Sequence, residues 1–201
     1  MNTRNLCGLA RFLPALFLAG CLSSAPQAPE NWTIEWRPGA ETAPDPTVQP
    51  LQLTMRVADI CVRAPYGGVR LAVLRANGSL AFDPYNIFAA APSQLLRGAA
   101  FDALNRSGRF SRVVDHSSSA HADLDAEIFV TRLALDCRAP SRRDALVELS
   151  LAFVSKGEVL SVASGRSSVP VEDGNYSEGF SRAFSEALIA AAKAQKPDQP
   201  K

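Results

Sequence analysis

Alternation of apolar and polar positions dominates the middle of this 201-residue chain and marks it as sheet-forming. Leu51, Leu53, Met55 and Val57 alternate with Gln52, Thr54 and Arg56, and Ile60 and Val62 continue after a shift of phase, which predicts a first strand with a bulge. Pro65-Tyr66-Gly67-Gly68 turns the chain. Val69, Leu71 and Val73 before Asn77-Gly78, and Leu80 and Phe82 after it, predict a bent hairpin over 69–83, since Asn-Gly suits the positive φ angles of a tight turn. From Pro92 and Ser93 the period changes: Leu95, Leu96, Ala99, Ala100, Ala103 and Leu104 recur at helical spacing until Gly108. Phe110, Val113 and Val114 make a short strand. In Leu124–Leu135 the apolar Leu124, Ala126, Ile128 and Val130 oppose Asp125 and Glu127, so one face is core and the other is wet at its start.

Beyond the charged turn Pro140-Ser141-Arg142-Arg143, strict alternation of Ala145, Val147, Leu149, Leu151 and Phe153 predicts a strand. Lys156-Gly157 reverses it, and 159–171 runs back beside it. A last helix over about 176–193 carries Phe180, Ala183, Phe184, Ala187, Leu188 and Ala191 on one stripe. Two helices on one face of a mostly antiparallel sheet give a two-layer α+β domain, expected over residues 51–195, with 196–201 as a disordered tail.

The first fifty residues have another composition. Arg4 and Arg11 flank the start of an apolar run from Phe12 to Ala19, and Gly20-Cys21 follows, the order of a basic start, apolar core and small residues that marks a secretory signal. The run is too short for a membrane span, which needs about 20 apolar residues, and Pro14 interrupts it. Leu18-Ala19-Gly20-Cys21 resembles the bacterial lipoprotein signal, which implies cleavage after residue 20 and acylation of Cys21 on its thiol and its freed amine. Two or more acyl chains, at about 0.8 kcal/mol per buried CH₂, hold a protein stably on a bilayer. Leu22 stands where such lipoproteins often carry an Asp for inner-membrane retention, so the resemblance implies the periplasmic face of an outer membrane.

Residues 21–50, with Pro26, Pro29, Pro38, Pro44, Pro46 and Pro50, read as an extended tether. Trp32-Thr33-Ile34-Glu35-Trp36 interrupts it, either to dock a short strand on the domain or to place two tryptophans among lipid headgroups.

The balance of 21 Lys and Arg against 20 Asp and Glu gives a formal charge of +1, which argues against nucleic-acid capture. With Cys7 lost to the signal and Cys21 to the lipid, Cys61 and Cys137 remain in an oxidising compartment and are expected to pair. That bond would close a loop of about 77 residues and stabilise by roughly 4 kcal/mol; the other reading is two free thiols packed as small hydrophobes. Asp115-His116-Ser117-Ser118-Ser119-Ala120-His121-Ala122-Asp123 has the residue types of a zinc site or a Ser-His-Asp nucleophile, but a contiguous polar stretch of this kind reads as a solvated loop. No catalytic residue, metal or cofactor is therefore assigned, and a hydrolase acting through His116 or His121 is a rival to be tested.

Leu80-Ala81-Phe82-Asp83-Pro84-Tyr85-Asn86-Ile87-Phe88 with Pro92 and a helix behind it, then Ser107-Gly108-Arg109-Phe110 and Ala122-Asp123-Leu124, resembles the auxiliary lipoprotein component of ABC-type transport systems, including the paraquat-inducible protein C type. The likeness covers about residues 50–195; Phe88 stands where such proteins often have Trp. It implies a non-enzymatic accessory that works with a mammalian-cell-entry (MCE) protein and an ABC permease and ATPase to move lipid or other apolar cargo, and it leaves room for a homo-oligomer. Tyr85, Ile87 and Phe88, expected in a loop before the first helix, are candidate partner contacts; alternatively Phe82 and Phe88 plug the base of that helix. A lipid-anchored assembly or secretion factor, or an activator of cell-wall enzymes, is the rival envelope reading.

Overall fold

A computed structural model describes residues 28–35, 37 and 49–195. Residues 1–27, including the signal and Cys21, Trp36, residues 38–48 and the 196–201 tail lie outside them. Among the described residues, eight strands and two helices follow in the order β1 (Glu30–Trp32), β2 (Leu51–Val62), β3 (Arg70–Arg75), β4 (Leu80–Phe88), α1 (Pro92–Arg106), β5 (Phe110–Val114), β6 (Leu124–Cys137), β7 (Asp144–Ser155), β8 (Glu158–Pro170) and α2 (Tyr176–Ala194). All the strands form one sheet.

The long strand β6 is its spine. One edge pairs with β7, antiparallel, and β8 continues the sheet as β7's antiparallel neighbour. The other edge is shared. β2 runs parallel along the first half, from Met55 beside Leu124 to Val62 beside Val130, and β3 runs parallel at the end, from Val73 beside Leu135 to Arg75 beside Cys137. The sheet therefore forks, with β5 parallel outside β2 in one branch and β4 then β1 outside β3 in the other. The expected phase shift in β2 is there, between Val57 and Ile60.

The sheet is mixed, which corrects the expectation of a mostly antiparallel one. Hairpin turns are written in short local sequence, and β3–β4, β6–β7 and β7–β8 are antiparallel as those turns require. Parallel pairs are joined by crossovers: β2 returns to β5 through the hairpin and α1, a long-range pairing that alternation alone cannot report.

Both helices cover one face. α2 crosses β7 and β8, α1 crosses β2 and β5, and the helices touch each other. Between the layers lie Met55, Val57, Ile128, Val130, Leu149, Leu151 and Phe153 from the sheet and Leu96, Leu104, Phe180, Phe184 and Leu188 from the helices. Asn175 starts α2, its side chain accepting from the Glu178 N–H at 3.1 Å while its amide donates to the Glu178 carboxylate at 3.1 Å, so two exposed groups of the first turn are satisfied. α1 starts without a side-chain cap, on Pro92. Gly165 of β8 lets α2 come down on the sheet: a Cβ there would stand 1.9 Å from the Ala187 carbonyl oxygen.

The domain begins earlier than residue 51. β1 pairs parallel with Asn86–Phe88, and Ile34 is 2% exposed inside the core. Glu35 N–H donates to Ser181 Oγ at 3.0 Å, and Ser177 Oγ donates to the Thr33 carbonyl at 2.7 Å. Trp32 lies against Phe88, Phe180 and Tyr176, with ring centroids 4.2, 5.3 and 6.0 Å away. Of the two readings of Trp32, docking on the domain is the one seen, and residues 30–35 are a strap rather than tether. Trp36 lies outside the described residues.

Candidate functional site

The His-rich loop is held together by its own polar groups. Asp115 accepts from Ser117 N–H and Oγ at 3.0 and 2.8 Å and from His116 Nδ1 at 2.8 Å, and these bonds, the Ser117 backbone bond first, hold its pKa below the usual value. Arg97 lies 3.3 Å from His116 Nε2 and donates to Asp59 at 2.7 Å, tying α1 to the β2 bulge. Asp123 accepts from the Thr54 N–H at 2.7 Å, while His121 has a side chain 91% exposed, 4.0 Å from Asp123. The two histidines thus serve different neighbours and do not converge on a shared point. Among the described residues no group of three His, Cys, Asp or Glu could hold a metal ion.

Cys61 and Cys137 are free thiols, which corrects the expected disulfide. The topology gives the reason. Cys61 lies beside Phe129 of β6, and Cys137 ends the same strand, eight residues and about 26 Å further along. A disulfide needs Cα atoms within roughly 7 Å. Cys61 is exposed, whereas burial pushes the Cys137 thiol pKa up.

Tyr85, Ile87 and Phe88 are in strand β4, not in a loop, and they separate. Phe88 is 2% exposed and belongs to the core under Trp32, which removes it as a partner contact. Ile87 is half-buried opposite Arg70 of β3. Tyr85 is 46% exposed. Between Phe82, opposite Ala72, and Ile87, opposite Arg70, the strand bulges out, and Asp83 holds the bulge. Its Oδ1 accepts from the Tyr85 and Asn86 N–H groups at 2.8 and 3.0 Å, and its Oδ2 from the Asn86 side chain at 3.0 Å. Partial burial alone would raise the Asp83 pKa; these bonds and nearby Arg143 outweigh it, and the net shift is downward.

The helix-free face of the sheet carries what the sequence reading missed. A shallow groove of about 440 Å³ is lined by Ala58, Asp59, Cys61, Glu127, Phe129 and Ala152, among others. Phe129 is 40% exposed on its wall. Across β7 the apolar surface continues to Val159, Leu160 and Val162 of β8, Val162 being paired with Ala152 and 62% exposed. Phe129 could have been found, because it falls in the polar phase set by Asp125 and Glu127. Glu148, which accepts from Arg132 at 2.9 Å with Arg166 at 3.3 Å, bounds this apolar stretch with charge.

No family model and no curated relative matches the chain. Its fold is found among solved structures. The crystal structure of a Xanthomonas campestris protein of the DUF330 family matches with a TM-score of 0.63 at 18% identity, covering 80% of this chain and 89% of that one. A second structure, of an uncharacterized protein, matches with a TM-score of 0.53 at 13% identity over 73% of this chain and 95% of the other. The PelC dodecamer of Paraburkholderia phytofirmans matches with a TM-score of 0.47 at 12% identity, covering 77% and 96%. No helix among the described residues is long and apolar enough to cross a membrane. The forked sheet with two helices on one face is therefore a fold this chain shares with the DUF330 structure.

Proposed function

We propose that the protein is a lipid-anchored, non-catalytic accessory of the bacterial envelope, held on the periplasmic face of the outer membrane by acylated Cys21 and serving an ABC-type system with an MCE protein. The observation that carries this reading is Leu18-Ala19-Gly20-Cys21 behind a basic and apolar leader. It is supported by the resemblance of Leu80–Phe88, the segment that seats Trp32 and the strap, to the auxiliary lipoprotein components, and by a fold shared with the DUF330 structure. The apolar stretch from Phe129 to Val162 offers a protein partner a surface of the kind that marks interfaces.

Fractionation of wild-type and Cys21→Ser protein tests the anchor. The wild type is expected to carry acyl chains by mass spectrometry and to stay with membranes after carbonate washing, and the variant to keep its leader uncut or leave the membrane. A cleaved, unacylated wild type sinks the anchor. Capture of the mature protein from detergent-solubilised membranes tests the rest: an MCE protein with a permease and ATPase should come down with it, and Phe129→Glu with Val162→Glu should release them. Recovery of a secretion pore or a cell-wall enzyme instead would replace the transport reading with the rival one.

A further inference from the structure

The strap fixes how far the domain can stand from its lipid, and on which side. Parallel pairing sets Glu30 beside Asn86, Asn31 beside Ile87 and Trp32 beside Phe88. Followed backward from Glu30, the chain therefore leads along β4 toward Tyr85 and the bulge. About nine residue steps separate Cys21 from Glu30, a reach of at most about 32 Å. A tether running to residue 50 would have allowed about 100 Å.

The surface at the start of this short leash is amphipathic. Phe82 is 45% exposed and Tyr85 46%, on either side of the Asp83 turn, and Val69, whose carbonyl accepts from the Phe88 N–H at 2.7 Å, is 44% exposed. Arg70 and Arg75 bracket β3 alongside; both are exposed and neither makes an ion pair among the described residues. The nearby carboxylates are engaged: Asp83 by the bulge, Asp136 by Arg138 at 2.6 Å and Asp144 by Arg142 at 2.6 Å, leaving exposed Glu30 and Glu35 as the strap's own carboxylates. Aromatic rings with a polar tip and long basic side chains suit the headgroup layer of a bilayer. By strand spacing this patch lies about 30 Å from Val162 across the sheet, so one surface can face lipid while the other stays open.

We infer that the β4 bulge, with Phe82, Tyr85 and Val69 flanked by Arg70 and Arg75, is the surface that rests on the phospholipid headgroups. This inference rests on the anchoring of Cys21 proposed above.

Hydroxyl-radical footprinting of the mature protein on vesicles of phosphatidylethanolamine and phosphatidylglycerol tests it with an internal control. Phe82 and Phe129 are the same residue type at 45% and 40% exposure. On vesicles Phe82 should be oxidised at least about threefold more slowly than Phe129 once each is normalised to unfolded protein, with Tyr85 protected alongside. Equal oxidation in protein that sediments with the vesicles overturns this inference and leaves the anchor standing. Protein that carries no lipid and does not sediment overturns both. Protection of Phe82 that disappears on dilution to one protein per vesicle marks a second copy as its occupant, and protection of Phe129 in its place marks the far end of the sheet; either outcome overturns the proposal.

Discussion

Gly165 sits where the helix layer meets the sheet most closely, and an added methyl has nowhere to go, because its obstacle is backbone: the Ala187 carbonyl oxygen at 1.9 Å. Gly165→Ala is expected to cost about 3 kcal/mol or more, read as a large fall in thermal midpoint, since overpacking forces backbone to move. Gly98, exposed in α1 with open space around its missing Cβ, should respond oppositely; Gly98→Ala is expected to stabilise by about 0.5–1 kcal/mol. Asp83 supplies a pH-dependent contribution. Its pKa is lowered in the folded protein, so its stabilisation is present at neutral pH and is lost as pH falls below 3.8 through the native value. Asp83→Asn should cost about 1 kcal/mol at pH 7, and urea titrations should show the gap to wild type closing in acid. The thiols give a third check: native alkylation should modify both, Cys61 first, because Cys61 is exposed whereas Cys137 is partly buried and burial pushes its thiol pKa up. Pairing by elimination failed here because cysteine count and compartment carry no information about register, and register placed both residues along β6.

The elements whose period is local were legible: α1 and α2 from their apolar stripes, the β3–β4 turn from Asn77-Gly78, and the β6–β7–β8 meander from alternation. Their partners across long sequence gaps were not. β1 is the clearest instance, because three residues carry no period, and only contact with Phe88 and α2 holds them in a strand. Trp32→Ala removes the ring on which that contact depends. It is expected to destabilise by about 3 kcal/mol and, well before global unfolding, to open the strap to a Glu-specific protease at Glu35, whose N–H is otherwise held by Ser181, while β6 and β7 stay protected. Cleavage at Glu35 as slow as in wild type would show that Ile34 and the Ser177 and Ser181 hydrogen bonds suffice without the ring. The candidate partner contacts shared the same blind spot. Phe82, Tyr85 and Phe88 look alike in sequence, and only the bulge between Phe82 and Ile87 decides that the first two are exposed and the third is core.

At the scale of the whole molecule, under the proposed anchoring of Cys21 the strap would convert a long tether into a short leash, so that lipid attachment would set orientation as well as location. The local concentration of a leashed surface at its target falls roughly as the −3/2 power of leash length once the leash can span the gap. Inserting about twenty Gly and Ser residues between Leu22 and Pro29 takes the free leash from about nine steps to about 29, a loss of about sixfold in that concentration. The insertion leaves β1, Trp32 and the core untouched, so thermal midpoint and sedimentation with vesicles should not change. Protection of Phe82 and Tyr85 should weaken by up to that factor, while Phe129 stays as reactive as before. If the protection is undiminished, Phe82, Tyr85 and their arginines bind headgroups strongly enough without help from the leash, and the shortness of residues 21–29 has no part in orienting the domain. If it falls as expected, the strap at Trp32 is the device that turns an anchor into a platform, holding one end of the sheet down and presenting Phe129 and Val162 to the periplasm.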